Sequence, residues 1–113
     1  MNVERILQLA DIIEVQPHAP AEADAGFNMA RYTHPCGTPA CIAGWALAMK
    51  GEPIPGSQIK VFFDAMEWMG LTIEAADDLF VPGTLDTREN YTPSQAAKTL
   101  RHLAHTGEVK WEL

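Results

Sequence analysis

Ten consecutive residues, Ala40 to Met49, carry no charge and no strongly polar side chain. A helix apolar on every side is stable only when other elements enclose it. This run therefore marks the centre of whatever the chain folds into, and the rest must supply its cover. It is approached through His34-Pro35-Cys36-Gly37, so that His34 to Ala46 reads HPCGTPACIAGWA. Thr38 followed by Pro39 is a favoured helix start, a hydroxyl residue at the cap and a proline at the first helical position. The spacing predicts a helix from there to Lys50, ended by Gly51. Ala40, Gly44 and Ala48 lie four apart and form a smooth ridge, so a large side chain at Gly44 is expected to clash with a neighbouring helix.

The cover is written in the flanking segments. Asn2 caps a helix to about Val15, with Val3, Ile6, Leu7, Leu9, Ala10 and Ile13 in one stripe. Pro17 and Pro20 stop it and open a loop over residues 16 to 26. Ser57 caps a helix to Met69, closed by Gly70, with Ile59, Phe62, Phe63 and Met66 expected inward. Thr72 caps a short helix from Ile73 to Phe80, and residues 82 to 91 read as a loop. Thr92-Pro93-Ser94-Gln95 is a capping box that starts a last helix to Thr106, ended by Gly107, with Ala96, Leu100, Leu103 and Ala104 buried. Weak alternation over 27–33 and cleaner alternation over 108–113 predict a small two-stranded β-ribbon lying against the helices. The expected fold is mainly α, a five-helix domain over residues 1–113 with this one ribbon.

Size and composition agree with a single packed domain. The 113 residues are 47% hydrophobic and 20% charged, enough to form a core without disulfide staples. No apolar run reaches the length that spans a membrane. The N-terminal residues Met1 to Arg5 acquire charge too early for a signal peptide. A cytoplasmic location with reduced cysteines is expected, and no membrane contact.

The net charge is −7, with eight Lys and Arg scattered along the chain. Direct nucleic-acid binding needs clustered cations, so it is not expected. The acids are less evenly spread: no basic residue falls between Lys60 and Arg88, where Asp64, Glu67, Glu74, Asp77, Asp78 and Asp86 do. Such a segment is either a solvated face or an anchor for a basic partner surface. Asp64, Glu67, Asp77 and Asp78 are expected exposed and on a common side, with Arg31, Lys98 and Arg101 the bases available to neutralise them.

Chemistry has few places to sit. His34, Cys36 and Cys41 form a His-x-Cys-x4-Cys arrangement, short of the four ligands of a zinc site unless His18, His102 or His105 joins it. A Cys36–Cys41 disulfide is geometrically possible but should not persist in a reducing compartment. Cys36 ahead of a helix N-terminus, with His34 two residues away as a base, would suit a reactive thiol. The simpler reading is that Cys41 is a small core residue and Cys36 fills space beneath the helix start. Trp45, Trp68 and Trp111 are assigned to the core. No phosphate-binding glycine loop, nucleophile elbow or nucleotide fingerprint is present in the sequence, so no enzyme activity and no cofactor are expected.

Phe27-Asn28-Met29 followed by Cys36-Gly37-Thr38-Pro39-Ala40-Cys41-Ile42-Ala43-Gly44-Trp45 resembles a group of small bacterial and phage-borne proteins that share a CGT-x-x-C-x-AGWA-type box. The segments Glu74 to Pro82 and Ala96 to Trp111 extend the resemblance over most of the chain from Phe27 onward. The group carries no assigned activity. The resemblance implies a context of small cytosolic proteins on mobile elements. By analogy with small acidic phage inhibitors, it implies a protein-binding role against a nucleic-acid-binding host complex, such as a CRISPR effector. The expected partner anchors are Asp64, Glu67, Glu74, Asp77 and Asp78. The alternative is a zinc- or thiol-dependent protein centred on His34, Cys36 and Cys41.

Overall fold

In a computed structural model that describes residues 1–20 and 22–111, helices take up more than half of the described chain. They are α1 (Val3–Glu14), α2 (Ile42–Lys50), α3 (Gln58–Met69), α4 (Ile73–Phe80), the single turn α5 (Leu85–Arg88) and α6 (Pro93–Thr106). Four of the predicted caps form as written. The side chains of Asn2, Ser57, Thr72 and Thr92 each accept from the backbone N–H three residues on. Thr92 and Gln95 complete a reciprocal capping box. Gly51, Gly70 and Gly107 end α2, α3 and α6 in the left-handed conformation that glycine adopts without steric cost.

The most extensive helix pair is α1 with α6, followed by α2 with α3. Ile6, Leu9, Ala10 and Ile13 of α1 are buried, as are Ala96, Ala97, Leu100 and Leu103 of α6. Residues of α1, α2, α3, α4 and α6 join one hydrophobic cluster, with Phe27, Met29 and Tyr91 contributed from between the helices. The apolar run lies where its composition requires: Ile42, Ala43, Gly44, Ala46 and Leu47 are buried.

In the helices and their packing, the structure differs from the sequence expectations in four places. Helix α2 begins at Ile42 with Cys41 at its N-cap, not at Thr38-Pro39. The residues before it are spent on other contacts: His34 N–H donates to Thr38 O, Ala40 N–H donates to Tyr32 O, and Asn28 N–H donates to Ala40 O. The stretch 38–40 is thus held extended between 28 and 32–34, which excludes the helical turn. Second, the neighbour against Gly44 is not a helix. A Cβ there would collide with the Tyr32 carbonyl oxygen, and Ala48 is exposed. Third, α3 turns differently: Val61, Ala65 and Met69 are buried, while Ile59 and Phe63 are 72% and 43% exposed. Fourth, residues 82–91 include the turn α5.

The ribbon of 27–33 with the chain end does not form among the described residues. Phe27 bridges His18 instead, and Thr33 bridges Pro39. The tail packs as irregular chain: the Trp111 ring lies 4.9 Å from that of Tyr91, and its Nε1–H donates to Asp78 O. Glu112 and Leu113 lie outside the described residues.

Candidate functional site

The box and the acidic segment are the two candidates, and the structure treats them differently. Around the box, the connector folds back on itself. His34 is buried, and its Nε2 lies 2.8 Å from Gly26 O. A carbonyl only accepts, so this nitrogen carries the proton and the ring is a structural donor. Gly37 N–H closes a turn onto His34 O. The Thr38 hydroxyl donates to Asp24 O at 2.6 Å, so it does not cap a helix.

The two cysteines have opposite environments, and both are free thiols. Cys36 is exposed, with Sγ 3.3 Å from Asp24 O and 3.3 Å from the Thr38 hydroxyl. Hydrogen bonding from Thr38, side chain first and then backbone, holds its pKa below the ordinary thiol value. The helix dipole expected to assist is not there, because α2 starts at Ile42. Cys41 is buried in the core, and burial pushes its thiol up to about 11. Among the described residues, no three His, Cys, Asp or Glu side chains converge on a point that would hold a metal ion. His34, Cys36 and Cys41 are therefore not assembled as a ligand set. Nor is His34 set as a base for Cys36, since its Nε2 faces Gly26 and the thiol faces Asp24 and Thr38. His18 points its Nε2 at Glu89 O, 2.7 Å away.

The acids lie on α3 and α4. Asp64 is half-buried and paired with Lys60 at 2.8 Å, one turn back on the same helix. That base lies immediately before the segment without cations; Arg101, one of the bases considered, is instead forked onto Asp11 and Glu14 of α1. Glu67, Glu74, Asp77 and Asp78 are exposed. Glu67 borders a shallow recess with Met1, Asn2 and Arg5, whereas Asp78 borders another with Tyr91 and Trp111. Asp77 is near enough to Tyr32 to disfavour its ionisation.

Large apolar side chains of α3 and α4 are exposed as well. Ile59 and Phe63 are one turn apart and share a side of α3, and Glu67 continues that line one turn further. Ile73, at the start of α4, is also exposed. Apolar spacing suggested that Ile59 and Phe63 face inward. The available signal was the competing stripe of Val61, Ala65 and Met69, which has the same spacing with smaller side chains.

No protein-family model, curated protein sequence or solved structure matches this chain.

Proposed function

We propose that this chain is a non-enzymatic protein-binding module of the cytoplasm. It docks through the outer side of α3 and the adjoining α4 on a basic surface of a partner. The observation that carries the reading is the line of Ile59, Phe63 and Glu67 along the solvent side of α3. Two large exposed apolar side chains supply desolvation energy at the centre of an interface, and flanking carboxylates supply steering and register. Glu74, Asp77 and Asp78 extend the negative side, and Asp64 is drawn in through its pairing with Lys60. The partner class is a nucleic-acid-binding complex, whose cationic channel such a surface would occupy. An inhibitor of a host defence complex, carried by a phage or another mobile element, is the specific form that the box resemblance suggests. This reading uses no metal and no thiol chemistry at His34, Cys36 and Cys41.

The test is affinity capture from bacterial lysate at low and high salt with three baits: the parent, Ile59→Ser/Phe63→Ser, and Glu67→Lys/Asp77→Lys/Asp78→Lys. A specific partner held by the parent should be lost by both variants at unchanged melting temperature. Its capture by the parent should weaken as salt rises. Retention of the same partner by both variants would remove this surface from the function.

A further inference from the structure

The chain has four arginines. Arg101 is forked onto Asp11 and Glu14. Arg5 stacks 4.9 Å above the Trp68 ring and donates to the Trp68 carbonyl. The other two, Arg31 and Arg88, have no ion pair and no aromatic partner among the described residues. Both line the same cleft, which has a volume of about 570 Å³. In a chain of net charge −7, two guanidinium groups at one cleft with neither a carboxylate nor an aromatic ring among the described residues call for a physical reason.

The cleft is walled by the segment Met29–Tyr32, the end of α4 and the turn of α5. Val81 and the ring of Tyr32, both half-buried, supply apolar lining above the buried Met29 and Phe80. The Arg88 Nε–H donates to Pro82 O at 3.0 Å, which fixes the planar head and leaves both Nη groups unused. Tyr32 is half-buried, and among the described residues its hydroxyl has no hydrogen-bond partner. Burial, the leading cause, pushes this phenol up to about 12, so at neutral pH it carries its proton and can donate. Arg88 acts on Tyr32 in the opposite direction, as a guanidinium close to the phenol does. Three donors on the walls of a partly apolar cleft suit a planar anion. The cleft also presents Glu22, Asp86 and Glu89, none of which pairs with either arginine. Their charge disfavours a ligand with two or more negative charges.

We infer that this cleft binds an organic monocarboxylate, its carboxylate held by Arg88, Arg31 and the Tyr32 hydroxyl and its apolar body resting on Val81 and the Tyr32 ring. The planar carboxylate matches the arginine fork, whereas phosphate would bring the charge that the three acids oppose. The same chemistry is offered by a small free acid and by the C-terminal carboxylate of a peptide.

The test is a titration of isotope-labelled protein, followed by NMR. The probes are phenylacetate, phenylacetamide, inorganic phosphate, and a tripeptide ending in Phe with a free or an amidated C-terminus. Phenylacetate or the free-acid tripeptide should give saturable shifts at Arg31, Tyr32 and Arg88, and each amide should bind at least about tenfold more weakly. The tighter of the two acids identifies the source. Arg31→Gln should weaken the acid by about tenfold or more with unchanged melting, because Arg31 is exposed and holds nothing in the fold. Arg88→Gln should do the same, with melting checked separately because Arg88 also holds Pro82 O. Equal binding of acid and amide, tighter binding of phosphate, no saturation with either acid, or no effect of Arg31→Gln would each overturn the inference.

Discussion

The helix pair α1–α6 and the connector from 16 to 41 reach one core by different means. The pair does it with periodic side chains: buried Ile, Leu and Ala stripes face each other and caps close the ends. The Arg101 fork to Asp11 and Glu14, a polar link between the two helices, is peripheral. The connector has little regular structure, so its backbone polar groups need partners that no helix supplies. Side chains provide them. Asn28 is buried, with Nδ2 donating to Ala19 O and Oδ1 accepting from Ala30 N–H. His34 holds Gly26 O, and Thr38 holds Asp24 O. His34 and Thr38 of the box thus satisfy carbonyl groups of the irregular backbone. A periodic region tolerates loss of a polar contact; a region folded around buried polar atoms does not.

The strongest way to break this contrast is at Gly44, where the connector backbone touches α2. Gly44→Ala places a methyl against the Tyr32 carbonyl oxygen and close to the Pro39 backbone. Backbone is the obstacle, so relief requires moving the connector off the helix. Gly44→Leu should cost at least about 3 kcal/mol, a large share of a typical total stability. Even Gly44→Ala should lower the denaturation midpoint clearly. Parent-like melting of Gly44→Ala would show that the connector is not locked to α2.

A smaller effect is expected from the polar anchors. Asn28→Ala or His34→Ala should cost about 1–3 kcal/mol for each buried carbonyl or N–H left without a partner. Cys36→Ser should melt like the parent, since its thiol is exposed. Chemical denaturation of the three variants side by side checks this ranking, and equal stability of all three would erase the distinction between anchor and filler. A thiol reagent should label Cys36 in the folded protein and Cys41 only on unfolding, as burial and the opposite pKa directions require.

The smallest effect belongs to the helix pair. Glu14 has its pKa lowered by the hydrogen bond from Arg101 and then by its charge. A lowered carboxylate pKa adds stability above the unfolded value, and that stability is lost as pH falls through the folded value. Arg101→Met should therefore be slightly less stable than the parent at neutral pH, with the gap closing in acid and shrinking in high salt. A gap that stays constant from neutral to acid pH would show that packing, not charge, carries the difference.

Legibility in the sequence follows the same division. The limits of α1, α3, α4 and α6 were readable because a cap residue, a periodic stripe and a stop coincide at each. The turn α5 was not, since four residues carry no period. The start of α2 was misplaced because Thr38-Pro39 is a sound local signal that long-range bonds to Asp24, Tyr32 and His34 override. The expected ribbon failed similarly: segment 27–33 found nearer partners at 17–19 and 38–40. At the candidate sites, residue types were visible but directions were not. Whether Phe63 or Val61 faces inward depends on what packs opposite α3, and no single helix encodes its neighbour. The unpaired state of Arg31 and Arg88 likewise emerges only when every other charge has been placed.

The pairing of α1 with α6 also has a consequence for synthesis. Arg101 and Asp11 are 90 residues apart in the chain. At ribosomal rates, the first helix must wait on the order of ten seconds before the last one has been made. Throughout that interval its stripe of Ile6, Leu9 and Ile13 lacks its main cover. The connector and α2 can meet much earlier, because an approach such as that of Tyr32 to Gly44 spans only 12 residues (44 − 32). The irregular half of the molecule is therefore positioned to organise first, and the regular half to close over it at the end.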